Sequence, residues 1–323
     1  MKAITQDEYG PAEVLRLTET ELPVTGDDEV LVRVRAASVH LGDWHLMTGV
    51  PYLTRLFGFG LRRPRARVRG TAFAGTVERV GARVSGLRPG DEVFGTCHGA
   101  FAEYARARPA QLAPKPAGLG FEQAAAVPVS AVAALQGLRD SGRLRPGQHV
   151  LVIGAAGGVG TYAVQLAKAL GAEVTGVCST TKLELVRSIG ADHVIDYTRE
   201  DFAAGARRYD LVLDTAGGRP LSVLRRALTA RGTLVIVGAE QGGRWLQGTD
   251  RQLRALLLSP FVGQRLRGLV STDSRADLVV LTGHIEAGRV TPVIDRTYPL
   301  AEVPDAVRHL AGGHARGKVV ITV

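Results

Sequence analysis

The sequence predicts an α/β protein in two parts, a β-rich first half and then a doubly wound parallel sheet with helices on both faces. Three observations carry this. Residues 149–182, HVLVIGAAGGVGTYAVQLAKALGAEVTGVCSTTK, read as strand, glycine turn, helix and second strand. Beyond them short apolar strands and helical segments alternate, the pattern of parallel strands joined by crossover helices. Before them, period-two segments are separated by turn residues, as in half-buried antiparallel strands.

In chain order, residues 29–39 (EVLVRVRAASV) alternate apolar and polar side chains over most of their length. Residues 71–84, 92–96 and 100–105 continue the strand pattern, with Arg88-Pro89-Gly90-Asp91 as a turn. Ala113-Pro114-Lys115-Pro116 ends the β-rich half, and the alanine-rich stretch 121–138 is helical in character.

The second half opens with a strand-turn-helix unit. Residues 150–153 are an apolar β-branched run, Gly154, Gly157, Gly158 and Gly160 come next, and 162–170 return to helical spacing until Gly171 stops the helix. Glycines at those points allow a sharp turn, a close backbone approach to a pyrophosphate and tight packing of helix on strand. The helix N-terminus then offers free N–H donors to the anion. Gly154, Ala156, Gly157, Gly158 and Val159 are therefore candidate dinucleotide contacts.

The residues just past the second strand choose the dinucleotide. NAD sites place an acid about 20 residues past the glycines, on the ribose 2′-hydroxyl, whereas NADP sites offer cations to the 2′-phosphate. Here Cys178, Ser179, Thr180, Thr181 and Lys182 occupy that position with no acid among them. Thr181 and Glu184 have capping-box spacing, which puts Lys182 in a first helical turn, where the dipole disfavours a cation. A broken local rule marks a functional position. Ser179 and Lys182 are candidate phosphate ligands, and NADPH is the expected cofactor.

Further along, 183–189 read as helix, 193–195 and 209–214 as strands, 220–228 as helix and 233–237 as strand. Tyr197 and Gly238 stand just past strand ends on the carboxyl edge and join the cofactor candidates. The stretch 242–264 gives no clear pattern apart from a helix at 253–258. Strand 266–270, helix 278–287, strand 290–294, helix 302–310 and strand 318–323 complete the chain.

With 323 residues and 45% hydrophobic content the chain has room for two domains with ordinary soluble cores. No charged and apolar leader and no bilayer-length apolar run occur, so a cytoplasmic protein without membrane association is expected. Cys97 and Cys178 are too few for a disulfide framework and lack C-x-x-C spacing for structural zinc. The net charge is +9, and Arg62, Arg63, Arg65, Arg67 and Arg69 cluster. The excess is otherwise spread out, with no recognition motif or aromatic platform, so no nucleic-acid partner is expected.

The β-rich start, GAAGGVG, residues 190–197 (GADHVIDY), 212–217 (VLDTAG) and Gly317-Lys318-Val319-Val320 together resemble the medium-chain dehydrogenase/reductase superfamily. The match is nearest to its zinc-independent quinone oxidoreductase-like branch and spans essentially the whole chain. It implies a GroES-like catalytic domain at 1–122 completed by 289–323, a Rossmann domain at 123–288, NADPH, and a homodimer built through the Rossmann sheets. Tyr197 is implied beside the 2′-phosphate with Ser179 and Lys182.

The zinc branch of that superfamily has a Cys-Gly-x-Asp stretch, which falls on His40 in SVHLGD, and a Gly-His-Glu stretch, which falls on Gly70-Thr71-Ala72. The second ligand and its acidic neighbour are missing, and His40, His45, Cys97 and His98 are a coincidental set rather than a site, so no metal is expected. The zinc-independent branch has Asn at His40, Arg near Thr48 and an acid near Ala72; this chain departs at all three. His40 is a candidate for substrate polarisation or protonation, or a hydrogen-bonded histidine at a strand end. Tyr52 is a further candidate donor or a pocket wall.

The resemblance implies an NADPH-dependent oxidoreductase transferring hydride to an electron-poor alkene or quinone conjugated to a carbonyl. An NADPH-binding protein with little turnover, serving as sensor, scaffold or structural protein, and a zinc-free alcohol dehydrogenase are the rivals.

Overall fold

Alternation predicts a strand at 29–39, and the computed structural model, which describes residues 1–238, 243, 245–246 and 248–323, places β3 there. Its contacts divide the chain into two units. The first comprises Met1–Val132, Asp273–Ala287 and Pro292–Val323, and the second Ala133–Thr272 and Gly288–Thr291. The unit edges thus fall about ten residues later than the expected 122/123 boundary. Helix 275–286 sits with the first unit rather than in the expected 123–288 domain.

The first unit begins with an antiparallel pair, β1 (Lys2–Thr5) and β2 (Arg16–Glu19). In β3 (Val30–Val39) Arg33 and Arg35 are exposed, but Ala36 to Val39 are all buried. The alternation ends there because Ala37 and Val39 enter the core while a helix covers the opposite face. Helix α1 (Leu41–Thr48) and the single turn α2 (Tyr52–Thr54) come next, then β4 (Ala72–Val80), β5 (Glu92–Thr96), β6 (Tyr104–Ala107) and β7 (Leu112–Pro114). The stretch 100–103 is bonded through backbone to Arg69 and Ile4 rather than held in a long strand, so β6 starts later than expected. Helix α3 (Phe121–Ala125) is the one that packs on β3 and β4, and α4 (Pro128–Gln136) comes after it.

The second unit opens with β8 (His149–Ile153), α5 (Gly158–Ala169) and β9 (Glu173–Cys178). Then come α6 (Leu183–Ser188), β10 (His193–Asp196), β11 (Tyr209–Asp214), α7 (Leu221–Arg226), β12 (Leu228–Ile236), α8 (Thr249–Leu258) and β13 (Arg265–Gly268). Gly242, where the unassigned stretch starts, lies outside the described residues. The sheet is parallel in every pairing, in the order β10-β9-β8-β11-β12-β13. Its order reverses between β8 and β11, where a doubly wound sheet opens a crevice at its carboxyl edge.

The chain returns to the first unit with α9 (Arg275–Glu286), β14 (Ile294–Pro299), α10 (Val303–Ala311) and β15 (Lys318–Thr322). Strand β14 corrects the expectation of a strand at 290–294. Thr291 is instead tied through its N–H and its carbonyl to the amide of Gln165 on α5, so those residues face a helix and not a strand. The first unit's main sheet runs β14-β15-β3-β4-β5-β7, so β15 lies inside it, antiparallel to β3. This is the doubly wound sheet plus GroES-like β unit predicted from sequence.

Candidate functional site

Two groups of candidate residues stand out, one in each unit. In the second unit, Gly154 leaves β8 with φ of +82°, a conformation that disfavours any Cβ. Gly157 caps α5, and Gly158 and Val159 begin it, all three partly exposed. Ala156 is buried, so its part is confined to backbone. A Cβ at Gly160 would lie 2.0 Å from the Gly154 carbonyl oxygen, so α5 can press onto the turn only with glycine there. The result is a cradle of backbone N–H groups at the start of a three-turn helix, which suits a pyrophosphate.

At the end of β9, Ser179 caps a 3-10 turn of Thr180–Lys182, and the Lys182 N–H donates to the Ser179 carbonyl at 2.9 Å. The expected Thr181 cap is not formed: α6 begins at Leu183 with Lys182 before it. The tight turn ahead of the helix instead bonds the Lys182 N–H to the Ser179 carbonyl and the Leu183 N–H to the Thr180 carbonyl. Tyr197 comes just after β10, half exposed, and donates its N–H to the Cys178 carbonyl at 3.1 Å. The structure therefore brings Ser179, Lys182 and Tyr197 to adjacent strand ends, and Gly238 stands past β12 on the same edge.

An acid that the sequence reading overlooked sits here too. Asp196 pairs with Cys178 in register, and its carboxylate accepts from the Thr180 hydroxyl at 2.5 Å and the Thr198 hydroxyl at 2.7 Å. Those bonds hold its carboxyl below the usual range, so it stays ionised. Both its oxygens are engaged within the protein, so it braces the turn. Its signal was in GADHVIDY, one residue before Tyr197.

Asp214 at the end of β11 is fully buried, and Oδ1 accepts from the Ala216 and Gly217 N–H groups, each at 3.2 Å. Oδ2 accepts from Arg251 at 2.7 Å, and Arg251 also donates to the Gly238 carbonyl. Burial raises the Asp214 pKa while Arg251 opposes the shift. The pair joins the loops after β11 and β12; nothing local in the sequence marks Arg251, on α8, as its partner.

In the first unit, His40 precedes α1, largely buried, its ring lying over Gly42, where a Cβ would meet it at 2.7 Å. Asp43 accepts the His40 N–H at 3.0 Å and the Thr71 hydroxyl at 3.3 Å. The His40 Nε2 lies 3.4 Å from Asp43 Oδ2 but is not aligned for a hydrogen bond, so it is a buried ring nitrogen without a bonded partner. Burial lowers the His40 pKa; Asp43 opposes this and the Lys318 ammonium reinforces it. Lys318, buried on β15, donates to the Val39 carbonyl at 3.1 Å and is itself pushed down to about 8 by burial.

A neutral His40 at pH 7 is the consequence. The unfolded chain binds its proton near 6.5 and the folded chain only at lower pH, so stability from this site is present above 6.5 and lost as pH falls. Histidine ring NMR should show His40 titrating below 6.5; a midpoint at or above 6.5 would contradict this environment.

Tyr52 stands in α2, with the Arg55 guanidinium 4.7 Å from its ring centre and 4.3 Å from that of Tyr9. Arg55 donates to the carbonyls of Gly49 and Thr48. A cation is thus supplied near Thr48 from a position the motif comparison did not cover. On the sheet beside His40, Ser38, Ala72 and Thr96 stand opposite one another on β3, β4 and β5, and the two hydroxyls are buried without hydrogen-bond partners. His45 is turned to the Val50 carbonyl, and Cys97 lies in the core while His98 is exposed. Among the described residues no three His, Cys, Asp or Glu side chains converge as a metal site.

Two family descriptions match the chain, an alcohol dehydrogenase GroES-like domain over residues 26–117 and a zinc-binding dehydrogenase over 189–321. A 2-methylene-furan-3-one reductase of Solanum lycopersicum is 34% identical over 336 residues, covering 99% of this chain and 79% of that protein. An NADPH-dependent alkenal/one oxidoreductase, chloroplastic, of Arabidopsis thaliana has the same identity and coverage. The solved quinone oxidoreductase of Coxiella burnetii is 30% identical with a TM-score of 0.85, over 100% of this chain and 99% of that one.

Proposed function

The chain belongs to the medium-chain dehydrogenase/reductase superfamily, among its quinone oxidoreductase-like members, and from that premise we propose an NADPH-dependent reductase of carbonyl-conjugated alkenes and quinones. The observation that carries this is the carboxyl edge of the second unit, where a glycine cradle and the Ser179–Lys182 turn, free of an unengaged acid, suit an NADP-type dinucleotide. When bound, NADPH supplies the hydride, and the rest falls to the protein.

Gly154, Ala156, Gly157, Gly158 and Val159 hold the pyrophosphate through backbone, Ser179, Lys182 and Tyr197 take the 2′-phosphate, and Gly238 admits close approach at the end of β12. Hydride addition to an enone leaves negative charge on the carbonyl oxygen, which fixed donors must stabilise before a proton completes the reduction. A neutral His40 ring N–H and the Tyr52 hydroxyl are the donors assigned to that role. His40→Ala and Tyr52→Phe should each lower kcat more than NADPH affinity; wild-type turnover in both would move the chemistry elsewhere. Following NADPH absorbance over a panel of enones, quinones and alcohols tests the reading, and binding without turnover of any of them would favour a sensor or scaffold.

No metal takes part in this proposal, because Thr71 and Ala72 offer nothing where a second ligand would stand. Stoichiometric zinc by elemental analysis, with activity lost on chelation, would reverse it.

The working form is a homodimer formed at β13, the outer strand of the parallel sheet. An uncapped strand edge invites pairing with another chain. Nearby, Leu257 is 71% exposed, Phe261 85% and Val270 83%. Phe261→Glu should convert a dimer to a monomer by light scattering; an unchanged mass would rule this surface out. Among the described residues no helix is long and apolar enough to cross a membrane, and two buried free cysteines fit a cytoplasmic setting.

A further inference from the structure

Many arginines of this chain sit against acids, as Arg67, Arg83, Arg187, Arg251 and Arg308 do. Four arginines of the second unit, Arg143, Arg145, Arg231 and Arg265, have no carboxylate partner among the described residues and line a single pocket of about 230 Å³. The pocket lies at the amino edge of the parallel sheet. Arg143 and Arg145 precede β8, Arg231 lies early in β12, and Arg265 opens β13 with Thr233 opposite it in register. The glycine cradle is at the other edge, a strand length away, on the order of 15 Å.

All four side chains are exposed, so water screens them from one another, and together they present a positive wall to which an anion is attracted. Asp210, also in the wall, offsets only one of the four, and its Oδ2 is engaged by the His149 N–H at 3.0 Å. Arg143 is placed by an unusual backbone: its φ is +51°, the only positive value for a non-glycine among the described residues. Such a conformation costs energy, and observed outliers of this kind gather at binding sites. The flanking Gly142 and Leu144 N–H groups bond to the Gly137 and Leu138 carbonyls, which keeps the turn in place. The Arg145 N–H donates to the Gln148 amide oxygen, and Gln148 and Thr233 add polar side chains to the pocket wall.

Guanidinium forks match phosphate oxygens two at a time, and several of them suit a multiply charged phosphate group better than a monovalent ion. A pocket below the roughly 300–1,000 Å³ of ordinary ligand sites excludes a whole dinucleotide. We propose that this amino-edge pocket binds a compact pyrophosphoryl group, independently of the dinucleotide edge. Free pyrophosphate and the diphosphate end of a nucleotide share that chemistry.

Calorimetric titration of the full chain saturated with NADPH, at constant ionic strength, with pyrophosphate in one arm and ADP in another, tests this. One saturable site per chain is expected for pyrophosphate. ADP binding at the same site assigns nucleotide diphosphates as the source, and its absence assigns the free anion. Arg143→Asn with Arg231→Gln, both exposed positions, should weaken binding roughly ten- to a hundredfold while leaving thermal stability and NADPH affinity unchanged. Binding that NADPH abolishes, that the double variant retains in full, or that never saturates would overturn the proposal. A chain that fails to bind NADPH, yet binds pyrophosphate and loses it in the variant, would sink the dinucleotide reading and leave this one standing.

Discussion

Gly160→Ala is expected to destabilise the second unit by about 3 kcal/mol and to abolish measurable NADPH binding. The added carbon would lie 2.0 Å from the Gly154 oxygen and 2.8 Å from the Ala155 Cα, and both are backbone atoms that cannot rotate away. Either α5 lifts from the turn or the turn moves, and in both cases the N–H cradle is lost. Gly157→Ala is the internal control. Its Cβ meets only the Gly154 oxygen, at 3.3 Å, and its φ of −83° suits alanine. That variant should keep near wild-type stability and lose affinity alone. Urea unfolding with cofactor titration separates the two; equal stability for both variants would show that α5 is not pinned at Gly160.

Lys182→Ala is expected to weaken NADPH roughly ten- to a hundredfold and to leave NADH nearly unchanged. A charge-assisted hydrogen bond contributes on the order of 1.5–3 kcal/mol, and only the phosphorylated cofactor has the group that receives it. The 3-10 turn fixes the lysine backbone close to Ser179, and Asp196 has both oxygens engaged, so it does not compete for the phosphate position. Titration of both cofactors against wild type and variant decides. Equal wild-type affinities, or equal losses, would show that this corner does not read the phosphate.

The parallel sheet was legible because most of its strands hold a short apolar run with glycine nearby, and no long-range partner is needed to see that; β13 (RLRG), with only Leu266 buried, is the exception. The strand at β14 was not, since IDRTYP is largely polar and its pairing comes from Lys318 to Thr322, while the more apolar 290–294 is drawn to Gln165. The Thr181 capping signal failed for a similar reason: the tight turn draws Thr180 to Asp196, a partner 16 residues on. Of the candidate site, the glycine cradle could be read directly because glycine has few substitutes there. The supporting charges, Arg251 under Asp214, Lys318 behind His40 and Arg55 against Tyr9, act across distances in sequence that no local motif encodes.

The interior place of β15 also sets an order of events during synthesis. Val39 and Lys318, hydrogen-bonded across neighbouring strands, are 279 residues apart, so β3 waits for its neighbour roughly 15–60 s at ~5–20 residues per second. Over that interval the β3 edge facing β15 stands bare on the nascent chain, whereas the parallel sheet, contained almost wholly within residues 133–272, has every strand already made. The dinucleotide-type unit can therefore mature on the ribosome, and the half with His40 and Tyr52 closes only once β15 has been made. Chaperone dependence should accordingly concentrate on the residues of β3 and β4.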